Sequence, residues 1–127
     1  MKIFLEKLKS VVKLLEEEYG PILVFALFLR EEPLEKWDIV VSATWLKSDD
    51  MNSYKILVPK IQNALTGPEL MQVARIVILD HNDPAVSFLQ ESESVTNGHY
   101  GEVPSDSFSE RFGFTIKKAY LLRCQKI

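Results

Sequence analysis

Asp80-His81-Asn82-Asp83 places a histidine between carboxylates within four consecutive residues. That combination suits a general base or a set of metal ligands, because imidazole titrates near neutrality and carboxylates accept protons or bind cations. The same residues are also good turn formers. Asp83 ahead of Pro84 is a helix cap followed by the proline favoured at the first helical position, and Asn82 bends the chain. On that reading Asp80 and His81 are solvated loop residues.

Ser42 and Thr44, with Asp38 earlier in the same apolar run, form the second set. A serine nucleophile on a sheet normally occupies a Gly-x-Ser-x-Gly elbow, whose small neighbours permit the strained turn. Val41 and Ala43 flank Ser42 and no glycine follows, so Ser42 is expected to be a small residue beneath a helix. Trp45, Thr44 and Asn82 are the candidate ligand or partner surface, since tryptophan is favoured at interfaces.

Other chemistries find less to work with. A nucleotidyltransferase uses Asp-x-Asp after a Gly-Ser loop, but position 40 is Val40. The nuclease pattern of an aspartate and then Glu-x-Lys fails as well, because Val73–Leu79 contains no acid. With only His81, His99 and Cys124 as nitrogen or sulfur ligands, a His/Cys zinc cluster is excluded and no metal is expected. An oxygen-ligand site for magnesium from Asp80, Asp83 and loop acids has no spacing to support it. The glycines Gly20, Gly67, Gly98, Gly101 and Gly113 are dispersed. Dinucleotide and phosphate-loop motifs are therefore absent, and no cofactor is expected.

The elements that must position these residues follow from hydrophobic spacing. Phe4, Leu5, Leu8, Val11, Val12, Leu15 and Tyr19 recur at three- and four-residue steps, which predicts a helix from Lys2 to Tyr19. Gly20 and Pro21 end it. Ile22–Leu29 is apolar throughout, the mark of a strand covered on both faces. A charged connector, Arg30–Lys36, returns the chain antiparallel into a second strand, Trp37–Trp45. On that strand Trp37 and Trp45, eight apart, would share a face.

Ser48, Asp49 and Asp50 supply a helix start, and Met51, Tyr54, Val58, Ile61 and Leu65 follow one helical face. Pro59 lies inside this pattern, which favours a kinked helix over Asp49–Leu65. The alternative is a strand at Tyr54–Val58 and a helix beginning at Pro59. Thr66-Gly67-Pro68-Glu69 is a capping box for a short helix over Pro68–Gln72. Val73–Leu79 is a third strand, and a helix from Pro84 to about Gln90 follows.

Glu91–Ser109 lacks an apolar pattern and reads as a long loop, expected to exchange its amide protons quickly. In Phe112–Cys124 the even-numbered Phe112, Phe114, Ile116, Tyr120, Leu122 and Cys124 alternate with polar residues. That marks a strand with one buried face and a bend or bulge near Lys117-Lys118.

These elements predict one α/β domain over residues 1–127, on the border of α+β, in the order α-β-β-α-β-α-β. Its mixed sheet of about four strands should have Trp37–Trp45 parallel to Val73–Leu79 through a right-handed crossover. The carboxyl ends of two such strands are where α/β sheets usually place a ligand. This is why Asp80–Asp83 and Thr44–Trp45 lead the candidates.

The 127 residues are 46% hydrophobic and 26% charged with a net charge of −3. Those averages fit a globular domain and argue against nucleic acid, which calls for a basic surface; Lys117, Lys118, Arg123 and Lys126 form at most a local basic patch. With one cysteine no intrachain disulfide forms. Pro21–Leu29 is too short to span a membrane, and the charged amino-terminal helix does not resemble a signal peptide. A cytoplasmic chain is expected. Because every catalytic signature fails, the leading expectation is a non-catalytic module that binds a protein partner or assembles as a homodimer through an edge at Phe112–Cys124. The alternative is a small hydrolase using Asp80–Asp83 with Glu91–Ser109 as its lid.

Overall fold

The computed structural model describes residues 2–30, 36–92, 101–103 and 116–126. Helix α1 (Lys2–Tyr19) leads into strand β1 (Val24–Arg30) and then β2 (Trp37–Ser42). Helix α2 (Met51–Ala64) and the short α3 (Gly67–Leu70) connect to β3 (Val73–Ile78). Helix α4 (Pro84–Ser92), β4 (Gly101–Val103) and β5 (Ile116–Cys124) complete the chain. The strands form one mixed sheet in the order β3-β2-β1-β5-β4. The expected α/β architecture is present, with the order α-β-β-α-β-α-β carried by the long elements and α3 and β4 added as short ones.

The expected pairings are observed. β1 runs antiparallel to β2, with Ala26 opposite Val40, and β2 runs parallel to β3, with Ile39 opposite Ile76. The sheet is covered on both sides. α1 and α2 pack on one face through Leu8, Leu15, Leu57 and Ile61 against Phe25, Leu27, Ile39, Val41 and Leu122. On the other face α4 brings Val86 and Leu89 against Val24, Ala26, Phe28, Val40, Ala119 and Leu121. Ile22–Leu29 is buried at every position, which is why alternation vanishes from that segment.

Pro59 lies inside α2 as one helix of 14 residues, so the strand alternative at Tyr54–Val58 does not occur. Asp50 caps the helix, its Oδ1 accepting from the Asn52 N–H at 2.9 Å. Gly20 closes α1 at φ +117°, a backbone conformation that costs an L side chain energy.

Two regions depart from expectation. β2 stops at Ser42, so Trp45 is not on it; the chain turns there, with the Leu46 N–H donating to Ala43 O at 3.1 Å. Trp37 and Trp45 still pack on the same α1/α2 face. In β5 both faces are covered, because Ala119, Leu121, Leu122 and Cys124 are all buried. The α1/α2 layer covers one face and the α4 layer the other. β5 also lies between β1 and β4 and is not an edge, which removes the premise for dimerisation through it. The expected bulge is present, since Leu29 pairs with Lys118 and Arg30 with Ile116, leaving Lys117 without a partner on β1. Within Glu91–Ser109, residues 91–92 end α4 and 101–103 form β4. The remainder of that segment, and Phe112–Thr115, lie outside the described residues.

The capping box at Thr66 forms as the sequence implies and also ties α3 to α1. Glu69 Oε1 accepts from the Thr66 N–H at 2.8 Å and from Lys7 Nζ at 2.7 Å. The Lys7 hydrogen bond and then the Thr66 N–H hold the Glu69 carboxyl down at about 2, from an ordinary 4.5. Because the folded value lies below the unfolded one, protons favour the unfolded chain. The contribution of Glu69 is whole above pH 4.5 and is lost as pH falls toward about 2. The melting temperature of Glu69→Gln should therefore lie below that of the unaltered chain at neutral pH and converge with it in acid. A gap that stayed constant down to pH 2 would contradict this assignment.

Candidate functional site

The parallel ladder brings the carboxyl ends of β2 and β3 side by side, with the Leu79 N–H donating to Val41 O at 2.9 Å. The loop after β2 therefore meets the segment Asp80–Asp83. Asp80 is committed to that meeting. Its Oδ1 accepts from the Ser48 N–H at 2.9 Å and its Oδ2 from the Ser48 hydroxyl at 2.7 Å. Those bonds hold its carboxyl below the usual aspartate range, the backbone N–H being the larger cause. Asp83 is committed too. Its Oδ1 caps α4 by accepting from the Ala85 N–H at 2.8 Å, and its N–H donates to Asp80 O at 2.9 Å, closing a turn. His81 and Asn82 are exposed at the tip of that turn.

Ser42 is fully buried and two residues from Val40, so it faces the α4 side, and its hydroxyl has no hydrogen-bond partner among the described residues. Asp38, on the same face, is fully buried and its Oδ2 lies 3.2 Å from Arg75 Nε on β3. Thr44 is exposed. Trp45 stacks on Tyr19 with ring centroids 5.1 Å apart and donates from Nε1 to Pro21 O at 3.1 Å. Its indole therefore closes the end of α1 and covers Gly20. The fold brings together Asp80 with Ser48 and Trp45 with Tyr19, whereas Ser42 is buried on the α4 side. Among the described residues no group of three or more His, Cys, Asp or Glu side chains is placed to hold a metal ion.

Two features that the residue pattern did not single out stand out from the geometry. The first is the outer edge of β3, which among the described residues pairs only with β2. Leu79 bonds toward β2, so the two-residue period of the ladder turns the backbone N–H and C=O of Ile76 and Ile78 outward. Ala74 is bulged out of register, since Trp37 pairs with Val73 and Asp38 with Arg75. Val-Ala-Arg-Ile-Val-Ile contains one charge, and Asp38 offsets it. The signal in the sequence was this near-uncharged β-branched run, and only the strand order shows which side of it is open.

The second is a polar hub at the end of α1. Glu16 accepts from the Ile22 N–H at 2.9 Å, from Gln125 Nε2 at 3.3 Å and from Arg123 Nη2. Gln125 also donates to Ile22 O at 2.8 Å, and its own carbonyl accepts from Gln90 Nε2 at 2.7 Å. The cause is a second bulge in β5: Phe25 pairs with Arg123 and Ala26 with Leu121, leaving Leu122 extra. Leu122 and Arg123 then both face α1, whereas strict alternation would put Arg123 on the face that α4 covers. No known family model, no curated protein and no solved structure matches this chain.

Proposed function

We propose that this chain is a non-catalytic module that assembles with a second copy of itself through the outer edge of β3. The observation that carries the reading is the backbone at Ile76 and Ile78, unpaired among the described residues, on a strand whose one charge is already offset. Edge strands are normally blunted by free charges, because unpaired N–H and C=O groups recruit another strand. Here Arg75 lies against the buried Asp38. A second copy suits this edge, since a two-fold axis makes β3 antiparallel to its mate and needs one self-complementary patch. With that axis at Ile76 or Val77, each Arg75 opposes Val77 or Leu79 of the second copy and never the other Arg75.

The hydrolase alternative has less support. A general base must be available to take a proton, and both oxygens of Asp80 accept from Ser48. Among the described residues no helix is long and apolar enough to cross a membrane.

Sedimentation velocity across a micromolar range tests the proposal. A dimer boundary that strengthens with concentration is expected. Ala74→Pro should return it to monomer with an unchanged far-UV spectrum, because Ala74 is exposed and already out of register with β2. A single monomer boundary at every concentration, or a dimer that survives Ala74→Pro, would overturn the edge assignment.

A further inference from the structure

We infer that α2 pairs with α2 of a second copy, antiparallel, about the same two-fold axis that joins the β3 edges, with Val58 at that axis. The inference rests on the edge reading and adds a second surface to it, a flank of the helix above the strand.

Residue spacing puts Met51, Tyr54, Val58, Ile61 and Leu65 on one apolar face, but the fold does not bury that row as a unit. The buried residues within α2 are Ser53, Leu57 and Ile61. Met51 is 68% exposed, and Tyr54 and Val58 are half-buried. At about 3.6 residues per turn, Ile56 and Lys60 fall on one side of Leu57 and Tyr54 and Val58 on the other, each roughly 60–100° away. The first side faces α1, because Lys60 Nζ lies 2.8 Å from Glu18 Oε2. α1 in turn is held to β5 through Glu16 and Arg123. α2 connects β2 to β3, and its Leu57 and Ile61 share a cluster with Ile39, Val41 and Ile78. The flank turned away from α1 therefore looks out over the outer edge of β3.

Distance favours contact between two such flanks. Paired strands lie about 4.8 Å apart, so a helix seated over β2 and β3 lies about 5 Å from an axis just outside β3. That places it about 10 Å from its mate, where packed helices sit roughly 8–10 Å apart. The flank is also self-complementary. Tyr54 and Gln62 each lie four positions from Val58, in opposite directions. In an antiparallel pair centred on Val58, that residue meets its own copy and Tyr54 meets Gln62, a phenol beside an amide that donates and accepts. Met51, Tyr54, Val58 and Gln62 carry no charge, so the two-fold sets no like charges against each other. Lys60 is occupied on the α1 side, and Lys55 is exposed on the outer face.

Disulfide capture tests the pairing. A residue on the axis faces itself, so Val58→Cys should cross-link to a covalent dimer under copper-catalysed oxidation by dissolved oxygen. Met51→Cys should not. It lies seven positions from Val58 (58 less 51), which separates the two thiols by about 21 Å along the helices. Native Cys124 is buried, and the unaltered chain under the same oxidation sets the background. Met51→Glu, at an exposed position, should weaken the dimer at least about tenfold in sedimentation, since two copies of the residue enter one interface. Leu14→Glu, exposed on α1, should leave it unchanged. The edge reading and this one fail differently. With a dimer that Ala74→Pro disperses, no cross-link in Val58→Cys, equal cross-linking in Met51→Cys, or full affinity in Met51→Glu would each overturn the helix pairing and leave the edge standing. A monomer at every concentration would overturn both.

Discussion

Glu16→Ala is expected to lower the unfolding free energy by about 3 kcal/mol, because it strands donors that the fold has already removed from water. The Ile22 N–H, Gln125 Nε2 and Arg123 Nη2 all converge on this one carboxylate. The side chains of Arg123 and Glu16 are 12% and 19% exposed, so the guanidinium would be left largely dry without its counter-charge. Full burial would put the loss at about 3–5 kcal/mol, and the residual exposure of Glu16 places the expectation at the lower end of that range. Glu16→Gln keeps an acceptor and the shape but not the charge, and should lose roughly half as much. Urea denaturation reads both values from the shift in midpoint at constant slope. A loss under about 1 kcal/mol for Glu16→Ala would mean that the pair behaves as a surface ion pair. The hub would then not be what joins α1, β1 and β5.

Phe25→Ala and Phe28→Ala should each lose about 3–5 kcal/mol, the cost of emptying a phenyl-sized volume in a packed core. Both side chains are fully buried, but on opposite faces of β1: Phe25 lies with α1 and α2, and Phe28 in the cluster that α4 covers. A domain of this size has about 5–15 kcal/mol in total, so either variant should approach the threshold of folding. Leu14→Ala, 52% exposed on α1, is the control and should stay within about 0.5 kcal/mol. Equal losses at Phe25 and Phe28 would establish that both faces of the sheet are core. A small loss at Phe28 alone would mean that the α4 face is loosely packed.

Much of this molecule is legible from residue spacing because the governing interactions are local. The stripe from Phe4 to Tyr19, the cap at Asp50, the box at Thr66-Glu69 and the entry at Asp83-Pro84 each act within one or two helical turns. The unbroken apolar run at Ile22–Leu29 announced a strand covered on both faces. The irregularity at Lys117-Lys118 announced a bulge, and Lys117 is the residue left without a partner on β1. Misplaced features were those that depend on distant chain. Phe112–Cys124 has the alternation of a half-buried edge strand, yet β5 pairs on both sides, because Gly101–Val103 adds a strand beyond it. Three residues with a glycine carry too little pattern to announce that strand.

The candidate site shows the same division. Asp80–Asp83 was correctly placed at a strand's carboxyl end, but the sequence has no means to show Ser48 meeting Asp80 from 32 residues away. Trp45 was visible as a residue with interface character, and its stacking on Tyr19 is a contact between elements 26 positions apart in number (45 less 19). Lys9 and Lys13 lie outside the apolar stripe of α1, and only the fold sets Arg123 of β5 opposite them.

The sequence by itself therefore determined which segments are helices and strands, where most of them begin, and the parallel crossover from β2 to β3. Capping oxygens, apolar periods and connector lengths act over a few residues and need no knowledge of the rest. Tertiary structure alone decided that β3 is the edge and β5 is interior, and that two bulges rotate β5. It also decided that Arg123, held by Glu16, shares one cleft with Lys9 and Lys13. Strand order and register are set by summed contacts between segments up to about a hundred positions apart, such as the 107 between Glu16 and Arg123. A bulge changes the facing of every later side chain by adding one residue, which no local pattern records.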